Sequence, residues 1–326
     1  MKLNDLVPRR QTLRNMDFTK FAPLLALVVL VVISAIASPY FLSARNLTNL
    51  LRQSSYFGII ALGMTFIIAS EGIDLSVGSM VAFVGGVIVM TLNYYFIYFL
   101  APFAILFAVI TGMIFGALIG AFNGFLSTVG RIAPFVATLA TMSIFRSLSL
   151  YLSGAGVFRV EVPGYAQIGS SVFLGIPVPV WIFAVLAVLA NLLLNNTRYG
   201  RYLLASGANE QVARYSAIKV QLVKFVPYAL TGFAVAVSAI LVSSRLNSIN
   251  STNAGLYYEL DAIASVVIGG TPLSGGVASI WGTVIGAIIL GVIGNMLNLM
   301  GVSPYLQGAV RGLVIIAAVS LQYKRQ

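Results

Sequence analysis

The 326-residue sequence is 59% hydrophobic and only 8% charged, with a mean hydropathy of +0.98. A soluble domain clothes its surface with about 25% charged residues, so a pair of ordinary soluble domains is excluded and a polytopic membrane protein is indicated. A net charge of +11 with no Cys and no His removes disulfide, thiolate and imidazole chemistry, and reads as the basic loops of a membrane protein rather than as a nucleic-acid surface.

The uncharged blocks set the spans, each needing about 20 residues. Residues 1–20 read as a basic cytoplasmic tail, and 21–44 as span 1. A polar stretch with Arg45 and Arg52 precedes span 2 at 53–70, which Glu71 and Asp74 stop. Leu75 to Gly130 holds no charge and is too long for one span; a break between Asn93 and Pro102 makes it spans 3 and 4. Span 5 covers 134–152 with Arg146 inside it, and Gly-, Ser- and Pro-rich residues 153–178 read as an external loop. Span 6 covers 179–196 and span 7 covers 225–244. Between them lies a loop at 197–224 with five basic residues and one acid. Spans 8, 9 and 10 fall at 262–270, 277–297 and 305–322; the first is short for a crossing.

The fold class is therefore an all-α membrane protein of about ten transmembrane helices, with a transmembrane domain at 21–322 and a cytoplasmic C-terminus at 323–326. With both termini inside, the tail contributes five basic residues to the cytoplasmic side, joined by Arg131, five in the 197–224 loop and two at the C-terminus. Only Arg45, Arg52, Arg159 and Arg245 fall outside, the asymmetry that the positive-inside rule describes. A weak internal echo pairs Leu75-Ser76-Val77-Gly78 after span 2 with Leu273-Ser274-Gly275-Gly276 after span 8, in a class of proteins often built from repeats.

Several groups stand out. Asp74 or Ser76 can cap span 3; a place on a transport path is the alternative. Glu259 and Asp261 read as an interfacial stop at the outer end of span 8, or as a rim for an external partner. Arg146 and Arg311 are costly inside a bilayer, roughly 3 kcal/mol each. They either snorkel to the headgroups, line a polar cavity, or pair with Glu259 and Asp261. Gly112, Gly116, Gly120 and Gly124 recur every four residues and mark a close helix contact, with Asn123 beside it. In the 197–224 loop, Asn209 can cap a short helix over Gln211 to Tyr215, which reads either as a solvated basic loop or as a lever for a cytoplasmic motor.

Three segments in order, Gly72-Ile73-Asp74-Leu75-Ser76-Val77-Gly78-Ser79, Gly207-Ala208-Asn209-Glu210 with Ala213, and Glu259-Leu260-Asp261 running on to Gly269-Gly270-Thr271, resemble the permease subunits of bacterial ABC importers for ribose, xylose and galactose. Leu273 to Gly276 and Gly301-Val302-Ser303-Pro304-Tyr305 match as well. The resemblance covers nearly the whole chain. It implies a monosaccharide import permease of the bacterial inner membrane, with ribose the expected sugar. Two permease chains, expected to be identical, form the path, and a periplasmic or lipid-anchored binding protein delivers the sugar. A separate cytoplasmic subunit binds ATP and Mg; no cofactor is expected in this chain and no nucleic acid among its partners. The family's coupling helix falls on Gly207 to Ala217, with Gly207, Ala208, Asn209, Glu210, Ala213 and Arg214 as contacts. The family commonly has Gly where this chain has Glu71 and Ala208, and often where it has Ala217.

Alternating access is the expected mechanism, with Asp74, Ser76, Asn123, Thr138 and Asn295 as candidates for the path and Arg146, Glu259, Asp261 and Arg311 for a charged rim or cavity. No Gly-x-x-x-x-Gly-Lys-Ser/Thr pattern is present, as expected of a permease without its own ATPase. The alternative, an ion-coupled secondary transporter, calls for acids at the midplane of broken helices. An intramembrane enzyme fits least, for want of His, Cys or clustered carboxylates.

Overall fold

The computed structural model describes residues 18–323. The basic tail up to residue 17 and Lys324 to Gln326 lie outside the described residues. The elements, in order, are α1 (Phe18–Ala37), α2 (Ala44–Ala69), α3 (Val77–Tyr98), α4 (Ala101–Thr128), α5 (Pro134–Ser153), β1 (Val157–Arg159) and α6 (Gln167–Ser170). They continue with β2 (Val172–Phe173), β3 (Ile176–Pro177), α7 (Val178–Asn196), α8 (Arg198–Ala208), α9 (Glu210–Tyr215), α10 (Val220–Leu246), β4 (Ser248–Asn250), α11 (Tyr258–Ile268), α12 (Ile280–Leu299) and α13 (Pro304–Tyr323).

Among the described residues, seven helices are long and apolar enough to cross a membrane: α2, α3, α4, α5, α7, α10 and α12. α1 and α13 carry shorter apolar stretches, Ala22–Ala37 and Leu306–Ala317. α11 has 11 residues, about 16 Å at 1.5 Å per residue, roughly half of a 30 Å hydrocarbon core. Span 8 is thus a half-length helix.

Local chemistry sets the helix ends. Ser43 accepts a bond from Asn46 N–H and starts α2 nine residues before the expected span, so the polar stretch with Arg45 and Arg52 is helical. Pro stands in the first turn of α4, α5 and α7, where its missing N–H costs nothing. α3 and α4 part at Phe99 and Leu100, inside the expected break.

α2 and α10 form the buried axis. Ser54, Ser55 and Thr65 return their hydroxyls to the carbonyls of Leu50, Leu51 and Ala61, so these three buried hydroxyls are satisfied within their own helix. The glycine stripe of α4 does what its spacing predicts, mainly against α10. Gly116 lies on Gly232 and Ala236, Gly120 on the Tyr228 carbonyl and Gly232, Gly124 on Phe225, and Gly112 on Ile88 of α3. Outward faces carry Leu118, Phe122, Phe135, Leu139 and Leu189, all exposed, as expected of a lipid-facing belt.

Part of the 153–178 segment, expected as an external loop, is packed against the helices. Along 157–162 exposure alternates, with Phe158, Val160 and Val162 buried, the period-2 pattern of a half-buried strand. β1 pairs antiparallel with β4, Phe158 opposite Ile249. Both side chains pack on α3 at Gly86 and Gly85, and Tyr165 hydrogen-bonds Ser243 of α10 at 2.7 Å. The β1–β4 pair therefore packs onto the bundle, because its apolar alternate residues outweigh the turn-forming residues around them.

Candidate functional site

At one end of the bundle the 197–224 loop folds as two helices rather than one. Thr197 caps α8, and Asn209 caps α9 by accepting from Val212 N–H at 3.0 Å. Asn209 is extended (φ −160°), which sets the bend between the two helices. Gly207, the penultimate residue of α8, is buried, and a β-carbon there would collide with the carbonyl of Ala69, the last residue of α2. That carbonyl accepts the N–H of Gly276 at 3.0 Å, and Gly276 in turn lies against Ala208. The two loops that carry the Leu-Ser echo thus meet each other and the α8–α9 bend at one point.

Electrostatics strengthen this junction. Glu210 accepts from Arg214 (2.5 Å) and from Lys224 on α10 (2.8 Å). The hydrogen bond from Lys224, then that from Arg214, holds its carboxyl below the ordinary value against an opposing desolvation. Lys224 also stands 3.9 Å from Glu71. A cavity of ≈560 Å³ opens here, lined by Glu71, Arg131, Glu210, Arg214, Lys224 and Tyr228 among others. Ala213 is buried beneath α9, while Ala208 and Arg214 face out.

Deeper along the α2–α3 loop, Asp74 Oδ1 accepts the Ser76 N–H at 2.9 Å and the Ser76 hydroxyl at 2.6 Å. Ser76 is the N-cap residue of α3, yet its hydroxyl makes no cap bond, so it is Asp74 that holds the helix start. Asn123 of α4 donates to Ser76 Oγ at 2.7 Å and to Asp74 Oδ2 at 3.3 Å. Thr138 of α5 donates to Pro134 O at 2.8 Å and to Ile73 O at 3.4 Å. All four are fully buried. The fifth path candidate is elsewhere: Asn295 exchanges two hydrogen bonds with Asn46, 2.9 and 2.7 Å, and ties α12 to the start of α2.

The four charged candidates come together around the start of α11. Arg311 bridges Asp261 at 3.3 Å and covers the Tyr257 ring at 5.5 Å. Arg146 turns inward to the carbonyls of Ser251 (2.7 Å) and Ala254 (3.1 Å). Glu259 lies against Gly78 near the start of α3. The acids do occupy the first turn of a helix, but Asp261 is only 5% exposed. Of the two acids expected at an interface, Asp261 is thus buried against Arg311, while Glu259 keeps an intermediate exposure. Of the alternatives for the two arginines, Arg311 takes the pairing with Asp261, and Arg146 serves backbone carbonyls.

The permease-component family described as branched-chain amino acid transport system permease matches residues 46–319. The chain belongs to this family. Ribose import permease protein RbsC of Bacillus subtilis is 46% identical over 94% of this chain and 93% of its own. Its namesake in Escherichia coli K12 is 41% identical over 93% of each. The L-arabinose transport system permease protein AraH of that strain is 34% identical over 94% and 91%. No solved structure matches the chain significantly. The chain is a multi-pass membrane permease component.

Sequence reasoning anticipated the Asn209 cap, the α4 glycines and the grouping of Arg311 with Asp261. It missed Lys224, whose partners on α9 and in the α2–α3 loop are 14 residues and 153 residues away in sequence. It also missed the clamp of Arg146 on backbone carbonyls, which no residue pattern announces.

Proposed function

We propose that this permease is the transmembrane subunit of an ATP-driven ribose importer of the bacterial inner membrane. The observation that carries the reading is the α8–α9 bend, capped at Asn209 and seated by Gly207 on the ends of α2 and the α11–α12 loop, in a chain so similar to ribose import permeases. A separate cytoplasmic subunit binds ATP and Mg and docks on Ala208, Asn209, Glu210 and Arg214. A periplasmic or lipid-anchored binding protein delivers the sugar to the opposite end, and two copies of the chain enclose the path. Closure of the motor on ATP moves the α8–α9 unit as a rigid lever. The helices rock, and the sugar passes through weak polar surroundings that suit a neutral, well-hydrated solute. Asp74, Ser76, Asn123 and Thr138, fully buried in this conformation, are uncovered to the path as the α2–α3 loop moves.

Two experiments test this. Liposomes holding the chain with its ATP-binding subunit and binding protein should take up ribose only with ATP; uptake by the chain alone on an ion gradient would replace the proposal with a secondary transporter. The ten-span, both-termini-inside topology is tested by single cysteines, against a background with no native Cys. Tyr215→Cys and Leu174→Cys, both at exposed positions, should react with an impermeant maleimide from the cytoplasmic and the periplasmic side respectively. Labelling of both from one side would overturn the topology.

A further inference from the structure

Glu71 is an acid in a glycine's conformation. Its φ is 62°, the left-handed region that residues with a β-carbon enter only when the surroundings hold them there. Two contacts do so. Its side-chain stem lies over Gly275, where a β-carbon would come within 2.8 Å of Glu71 Cγ. Its carboxylate faces Lys224 at 3.9 Å. The same ammonium is bonded to Glu210 on α9 at 2.8 Å. Lys224 is the more buried partner in both pairs, with 19% of its side chain exposed against 50% for Glu71 and 37% for Glu210. One cation thus joins the α9 helix to the turn that ends α2. Beyond Glu71 the chain leads directly to Ile73, held by Thr138 of α5, and to Asp74, held by Asn123 of α4.

We propose that Lys224 and Glu71 are positioning residues for energy coupling, an ionic link that carries displacement of the α9 docking helix into the α2–α3 loop and from there into α4 and α5. The inference rests on the importer reading above. Contiguity alone does not establish coupling, so the test measures coupling itself. The full transporter, with its ATP-binding subunit and binding protein, is reconstituted, and ribose imported per ATP hydrolysed is measured. Lys224→Met should lower that ratio about fivefold while the ATP-binding subunit still co-purifies, and Lys224→Arg should restore most of it by keeping the charge. Glu71→Gln, at a half-exposed site that tolerates the change, should lower the ratio in the same direction. The double variant should be no worse than Lys224→Met alone, since both break one link. An unchanged ratio for Glu71→Gln in an assembled complex, or losses that multiply as independent effects, overturns the link. Failure of the wild-type assembly to import ribose on ATP overturns the importer reading, and the link with it.

Discussion

Replacing Arg311 by Met would leave Asp261 as a buried carboxylate without its cation. Asp261 has 6% of its side chain exposed and Arg311 25%, so most of the field between them passes through protein. Breaking a buried pair by removing one partner costs about 3–5 kcal/mol. The partial exposure of Arg311 favours the lower end, about 3 kcal/mol, because a pair that is not fully enclosed gains less from its partner than a sealed one. Glu259, in the same first turn of α11, adds repulsion once the arginine is gone. At about 2–4 °C per kcal/mol for a chain of this order of size, the midpoint for loss of the monodisperse species on heating in detergent should fall by about 6–12 °C. The converse change, Asp261→Asn, should cost much less, since Arg311 keeps its place over Tyr257 at 5.5 Å. The double variant Asp261→Asn with Arg311→Met should recover much of the single loss. A midpoint for Arg311→Met within about 1 °C of wild type, or an equal loss from Asp261→Asn, would refute the reasoning.

Asn295→Ala should cost about 1 kcal/mol, the scale of an interhelical hydrogen bond in a membrane protein, and leave the ribose concentration for half-maximal transport unchanged; a shift in that concentration would put Asn295 on the path instead. Gly207→Ala should displace α8 from the Ala69 carbonyl and reduce recovery of the ATP-binding subunit on co-purification. Asn209→Ala should remove the α9 cap, worth about 1 kcal/mol of local helix stability, and lower ATP-driven uptake while the bundle's heating midpoint holds. Glu210, held below its ordinary value of 4.5 by Lys224 and Arg214, contributes fully above that value and loses its contribution only as pH falls through the depressed one. Transport measured between about pH 5.5 and 8 should therefore show no inflection that Glu210→Gln removes.

Much of this protein is legible without its fold. The span-forming blocks follow from the length of helix a hydrocarbon layer demands, and six of the seven long apolar helices lie close to where those blocks place them; α2 starts earlier because Ser43 caps it. The α9 cap needs only an Asn followed by good helix formers, and the α4 glycines need only a spacing of four. These features are local, so neighbouring residues determine them.

Tertiary structure alone decided depth and long-range pairing. Glu259 and Asp261 stand at a helix end in either view, but only the approach of Arg311 from α13 shows that Asp261 is buried in an ion pair. The 153–178 segment has the composition of a surface loop, yet alternate apolar residues found a buried face on α3. Lys224 carries no mark that distinguishes it from the other basic residues of its loop until α9 and the α2–α3 turn close around it. A side chain's local preference is written in its neighbours; which distant carboxylate, carbonyl or glycine it meets depends on how the helices stack, and that is settled by the packing of the whole chain.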